Sequence, residues 1–264
     1  MSDALGFDPG AETDRITGFI RARLQEAGRS TLVLGLSGGL DSSVAALLCA
    51  RAVESARVHA FVLPHRKSPP ESPEHARLVV HKAGIPCEDI DITPAVDALS
   101  AALAPADRRR LGNIMARVRM IILYDRSAAL DGLVVGTGNR TEWLLGYATL
   151  HGDSACAFRP IGHLYKSQVR QLARHLGVPG PIIAKPPSAG LWPGQTDEGE
   201  LGLSYDDADR ALVGLIDLGR TVDEVVSDGV PRDVADRVQR LVRGSAFKRR
   251  LPGAPEPLTG RSEE

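Results

Sequence analysis

Apolar positions along the chain follow two periods. Ile16, Phe19, Ile20, Leu24 and Ala27 recur at three- and four-residue spacing and predict an amphipathic opening helix. Thr31 to Leu36 is instead a short apolar run before glycines, which predicts a strand buried on both faces. The alternation then repeats. A helix is expected from about 41 to 53, a strand over 58–63, a helix over 71–83 and a strand over 88–92. A long helix over 111–129, with Ile114, Val118, Ile121 and Ile122 on one face, precedes a strand over 132–136. Strands separated by helices of ten or more residues pair in parallel through right-handed crossovers. The pattern therefore predicts an α/β fold, a parallel twisted sheet flanked by helices, with a helical C-terminal third. Residues 1–251 form a single domain in this reading, and the Pro- and Gly-rich stretch 252–264 a flexible tail.

Composition narrows the function class. With 32 Lys and Arg against 33 Asp and Glu, the chain has no global attraction to nucleic acid or to an anionic membrane. Its 5 Phe, 4 Tyr and 2 Trp are too few for a base-stacking platform. Cys49, Cys87 and Cys156 form neither a metal-like pair nor a disulfide framework. The acidic N-terminal segment lacks the apolar run of a signal peptide, and no stretch reaches the roughly 20 apolar residues of a membrane span. These features predict a cytoplasmic protein.

The chemistry is concentrated in Leu36-Ser-Gly-Gly-Leu-Asp-Ser-Ser43, directly after the first strand and opening a helix. Adjacent glycines let the backbone turn sharply and bring N–H groups inward with no Cβ in the way. Those donors, the serine hydroxyls and the helix N-terminus make an anion cradle at the carboxyl edge of a parallel sheet. A plain strand–turn–helix junction capped by Ser or Asp is the competing explanation, and the full S-G-G-x-D-S string disfavours it. No Gly-Lys pair exists in the chain and G-x-G-x-x-G is absent, so neither a kinase-type phosphate loop nor a dinucleotide fingerprint is present.

The string resembles the pyrophosphate loop of the N-type ATP pyrophosphatases, which cleave ATP between its α and β phosphates. Asn113 to Met120, Val134 to Tyr147, Pro160 to Gln168, Pro187 to Glu198 and Leu201 to Tyr205 extend the resemblance, in order, to the ammonia-dependent NAD synthetase family. The resemblance implies an adenine nucleotide alpha hydrolase-like, Rossmann-like fold and a two-step ligase reaction. The carboxylate of deamido-NAD attacks ATP to form an acyl-adenylate, and ammonia then displaces AMP. It also implies roles for residues. Gly35, Leu36, Ser37, Gly38, Gly39, Leu40, Asp41 and Ser42 wrap the ATP phosphates, Thr137 and Ser188 contact ATP, and Lys166 pairs with its phosphates. Ser37, Asp41 and Lys166 are the catalytic set, Asp41 and Glu142 the Mg²⁺ ligands, and Arg117 and Lys248 the contacts to the acid substrate. A homodimer is implied as well, with the apolar helix around 114–122 at its contact. Ammonia comes free or from a separate glutaminase.

Departures cluster on the acid side. Leu150 and Ala157 stand where the family has Lys and Asp, and Phe247 where it has His. A buried polar group that loses its partner costs about 1–3 kcal/mol, so an alternative acid substrate stays open beside deamido-NAD. Other readings are a sulfur-inserting relative acting on tRNA and a nucleotide-binding regulatory module. The first wants a reactive Cys pair and a basic face; the second has no need of Asp41 and Glu142. Cys156 is read as a small filler, with His151 its one nearby base, and the 191–194 segment as a mobile lid. Arg119, about 200° further round the helix from Arg117, is expected in a surface or interface ion pair. Arg108 to Arg110 is expected as a solvated approach to the helix.

Overall fold

Leu32, Val33 and Leu34 are wholly buried at the centre of β1 (Thr31–Gly35), which is why this strand tolerates no polar face. β1 pairs in parallel with β2 (Val58–Val62) on one side and with β4 (Gly132–Val134) on the other. β3 (Cys87–Asp89) extends the sheet beyond β2, giving the order β3-β2-β1-β4. The structure is a computed structural model that describes residues 5–104, 107–192, 194–251, 253 and 255. The tail expected over 252–264 lies almost wholly outside them.

Two strands are shorter than the apolar runs suggested. Val135 still donates its amide to Val33 O (2.8 Å), but its other edge bridges to Phe158, so β4 ends at Val134. Beyond β3, Ile90 and Ile92 keep bonding Val62 O and Pro64 O (2.9 and 3.0 Å) as the chain leaves the sheet.

Helices cover both faces. α1 (Pro9–Glu26), α2 (Leu40–Ala52) and α7 (Lys166–Leu176) pack on one face and share a core that includes Ile20, Leu48 and Leu172. α3 (Glu71–Ala83), which coincides with the predicted 71–83 segment, joins the same core. On the other face lie α4 (Thr93–Leu103) and α5 (Arg108–Ala129), around Val33, Phe61, Met115 and Leu123. α4 was not foreseen, although Pro94 in its first turn is a helix-start signal. α5 begins three residues earlier than expected because Asp107 caps it, accepting from Arg110 N at 2.7 Å. Arg108–Arg110 therefore form an exposed first turn rather than an approach.

The C-terminal third is helical, as expected. Short α6 (Arg140–Leu145), α8 (Gly180–Ala184) and α9 (Asp197–Leu201) precede α10 (Tyr205–Leu212), α11 (Val222–Ser227) and α12 (Arg232–Gly244). α6, α10, α11 and α12 enclose a second core centred on Tyr205, Leu212 and Val225. No helix among the described residues is long and apolar enough to cross a membrane.

The chain runs outward from β1 to β3 and then returns to place β4 on β1's other side. That reversal leaves a crevice at the carboxyl ends of β1 and β4, where open α/β sheets place their ligands.

Candidate active site

The crevice begins where β1 stops. Leu36 N still donates to Phe61 O (2.9 Å), and the backbone then turns through Ser37 and Gly38 into α2. Gly38 has φ +73°, and a Cβ there would lie 2.2 Å from Ser72 O, so only glycine fits. Gly39 is the N-cap of α2 and no side chain caps this end. The Ser42 and Ser43 hydroxyls donate inward to Gly39 O (3.1 and 2.7 Å), and Ser37 Oγ accepts from Gly39 N at 3.2 Å. The capped-junction explanation thus fails: the first-turn amides of α2 face the crevice with the helix dipole behind them.

Asp41 projects from that turn towards Lys166, the first residue of α7. Lys166 is only 2% exposed, so it is not a solvated helix start. Its ammonium is ion-paired with Asp41 and with Glu142 Oε1, the latter at 3.2 Å. Three elements hold it there. Lys166 N donates to Thr141 Oγ1 (2.9 Å), Thr141 donates to Asp209 (2.5 Å), and Asp209 accepts Ser167 N (2.8 Å).

Glu142 is placed by a capping box at the start of α6: Asn139 Oδ1 accepts Glu142 N (2.9 Å), and Glu142 Oε2 accepts Asn139 N (3.3 Å). The fully buried Asn139 also donates Nδ2 to Asp41 Oδ1 at 3.1 Å. Behind Glu142, the Tyr205 hydroxyl lies 3.4 Å from its Oε1 and 3.0 Å from Asp197 Oδ2, and Tyr147 donates to Asp197 Oδ1 at 3.0 Å.

Burial raises the Glu142 carboxyl to about 7, although Lys166 pulls it down; Asp41 and Asp197 push it further up. Burial would lower the Lys166 ammonium, but the surrounding carboxylates hold it above its ordinary value. Burial likewise raises Asp197. Three carboxylates therefore share one cation. Asp41 and Glu142 present hard carboxylate oxygens around the Lys166 ammonium, a donor type that suits Mg²⁺. No group of three or more metal-ligating side chains is assembled among the described residues.

These groups line one cavity of about 1000 Å³, together with Thr137, Ser188 and Lys248. Its far wall is Leu191 and Trp192; Leu191 packs so closely on α5 that a Cβ on Gly112 would lie 2.8 Å from it. Gln195 pins this segment by accepting Leu191 N at 2.8 Å.

The acid side is more varied. Arg117 is exposed and donates Nε to Leu150 O (3.2 Å), while the Lys248 ammonium donates to Gly146 O and Ala148 O (both 2.8 Å). Leu150 and Phe247 line the cavity, whereas Ala157 lies off its wall with its amide on Val134 O (2.8 Å). Arg119 corrects the sequence expectation. It is no surface ion pair but a half-buried wall residue that donates to Leu63 O (3.0 Å) and Ser68 Oγ (3.4 Å). Cys156 is a filler: its Sγ would lie 2.5 Å from a Cβ on Gly136, and burial raises its thiol pKa.

Sequence reasoning missed Asn139, Tyr147, Asp197 and Tyr205. The Asn139-x-x-Glu142 pattern was a legible cap signal; the tyrosine–carboxylate cluster joins residues up to 58 positions apart and had none.

Comparison with known proteins agrees with this architecture. The model of a family described as NAD synthase matches residues 12–252. The chain is 46% identical over 248 residues to the NH(3)-dependent NAD(+) synthetase of Chlorobium phaeobacteroides, covering 94% of this chain and 90% of that one. Among solved structures it resembles the NMN synthetase of Francisella tularensis (TM-score 0.85, 32% identity, 95% of this chain and 99% of that one). It also resembles the NH3-dependent NAD synthetase of Campylobacter jejuni (TM-score 0.82, 32% identity, 95% of this chain and 100% of that one).

Proposed function

The chain belongs to the NAD synthase family, and from that premise we propose that it is an ammonia-dependent ligase that converts deamido-NAD to NAD at the expense of ATP, releasing AMP and pyrophosphate. The observation that carries this is the uncapped α2 N-terminus beside the Asp41–Lys166–Glu142 cluster in the wall of one cavity.

The carboxylate oxygen of the acid attacks the α-phosphorus of ATP, and the bond to the β-phosphate oxygen breaks. The leaving pyrophosphate is held by the uncapped first-turn amides of α2 and the Ser37 hydroxyl, with Lys166 supplying positive charge from the side. Thr137 and Ser188, in the wall of the same cavity, contact the nucleotide. Asp41 and Glu142 would hold Mg²⁺, which supplies charge neutralisation for the triphosphate. Leu191 and Trp192 shield the acyl-adenylate from water until ammonia attacks its acyl carbon and AMP departs. Arg117 and Lys248 face the acid, each with part of its hydrogen-bonding capacity already on backbone carbonyls. A homodimer, and either free ammonia or a separate glutaminase as nitrogen source, complete the reading.

Purified protein incubated with ATP, Mg²⁺, ammonium and deamido-NAD should yield NAD, AMP and pyrophosphate in equal amounts. Formation of ADP, or intact ATP, refutes the reading.

Leu150 favours a second acid. An apolar side chain on the wall where the family places a lysine removes one polar contact to deamido-NAD, and one structural neighbour is an NMN synthetase. Nicotinic acid mononucleotide is the corresponding shorter substrate. Rates with the two acids in competition decide between them. Under this second reading, Leu150→Lys shifts preference towards the dinucleotide.

A further inference from the structure

Among the described residues, three cations of the cavity wall are neutralised by carboxylates, whereas Arg109, Arg117, Arg119, Arg237 and Lys248 are not. Lys166 has Asp41 and Glu142, Lys185 has Glu71 at 3.1 Å, and Arg170 has Asp206 at 3.1 Å. Arg119 has no carboxylate within ion-pair distance among the described residues, and Asp153 acts on it only from further away. Its two protein acceptors are neutral, Leu63 O at 3.0 Å and Ser68 Oγ at 3.4 Å. A guanidinium has five N–H donors, so three are left without a protein acceptor.

Burial lowers the Arg119 pKa to about 10, with Asp153 only partly offsetting it, yet the guanidinium keeps its proton at neutral pH. A half-buried, unpaired cation is unfavourable in the empty protein and becomes favourable when an anion arrives. The place is suitable. Arg119 sits beyond the carboxyl end of β2, and Leu123, one turn on along α5, lies 3.3 Å from where a Cβ on Gly35 would stand. A ligand with its phosphates in the 37–42 turn and its body over β1 and β2 runs towards this guanidinium.

Resting on the ligase reading above, we infer that Arg119 is an anion-binding residue of the reaction, its planar fork receiving an anionic oxygen group of a bound reactant. That group is either the α-phosphate of the adenylate or the carboxylate of the acid.

Two pairs of ligands that differ by one negative group separate the sources. Calorimetry gives the affinity ratio of AMP to adenosine, which reports the phosphate, and of deamido-NAD to NAD, which reports the carboxylate. Arg119→Met should reduce one of these ratios about tenfold or more, the loss expected for hydrogen bonds between charged partners. Whichever ratio falls names the source. A merely structural arginine would weaken both members of a pair alike and leave both ratios within twofold, which overturns the inference.

Should Arg119→Met fail to fold, Arg119→Lys, which keeps the charge but not the fork, must lower the same ratio at least threefold; no change there overturns the inference equally. Failure of the substrate reading looks different. Wild-type protein would then show no preference for deamido-NAD over NAD, while the AMP-to-adenosine ratio still responds to Arg119.

Discussion

Replacing Lys166 by methionine keeps the length and packing of the side chain and removes only its charge. The Lys166 side chain is 3% exposed, and its ammonium neutralises Asp41 and Glu142, whose side chains are 18% and 17% exposed. Its loss leaves two carboxylates facing each other at low dielectric. Breaking a buried ion pair costs about 3–5 kcal/mol, and the slight exposure of the carboxylates places this case near about 3. A domain of this size loses about 2–4 °C of Tm per kcal/mol, so Lys166→Met should melt roughly 6–12 °C below wild type at pH 8.

The deficit should shrink at pH 6, because Glu142, already raised to about 7 beside Lys166, then takes up a proton and removes one of the two charges. Calorimetric melting of both proteins at pH 8 and pH 6 measures this. A variant that melts with wild type at pH 8, or whose deficit is the same at both values, shows that Lys166 does not neutralise the carboxylates as described. AMP formation should fall at least a hundredfold irrespective of pH.

Glu142 makes a prediction for the wild-type protein. Its folded pKa near 7 exceeds the unfolded value of roughly 4.3, so the native state binds a proton that the unfolded chain has released. Stability should therefore rise as pH falls through 7 towards about 4.5, and scanning calorimetry from pH 8 to 6 without added cation should show Tm increasing; a flat or opposite trend removes Glu142 as the titrating group. Gly38→Ala forces a Cβ to within 2.2 Å of Ser72 O at φ +73°, which should abolish AMP release while far-ultraviolet circular dichroism stays helical. Activity within tenfold of wild type would show that the turn is not the phosphate holder. Arg249→Ala removes donors from Leu144 O (2.8 Å) and Val242 O (2.6 Å) and should lower stability by about 1–3 kcal/mol in urea titrations.

The sheet was legible because buried parallel strands must be apolar throughout: Leu32, Val33 and Leu34 could be nothing else. Helix limits were less so. α5 starts at a cap, Asp107, outside the periodic segment, and α4 begins on a proline within an alanine-rich stretch that has little periodicity. In the site, the glycine turn and Asp41 were readable from local backbone chemistry. Arg119 was misread because helical angle says which side a residue occupies, not whether that side meets water or a cavity. The tyrosine–carboxylate cluster escaped because its members come from α6's end, α9 and α10 and meet only through tertiary packing.

The short turn at 246–249 bears on how Glu142 is held. Lys248 and Arg249 grip Gly146 O, Ala148 O and Leu144 O, the carbonyls at the far end of the six-residue helix whose first turn carries Glu142. A helix of so few residues has little stability of its own. The clasp therefore ties the position of Glu142's helix to a segment 102 residues further along the chain.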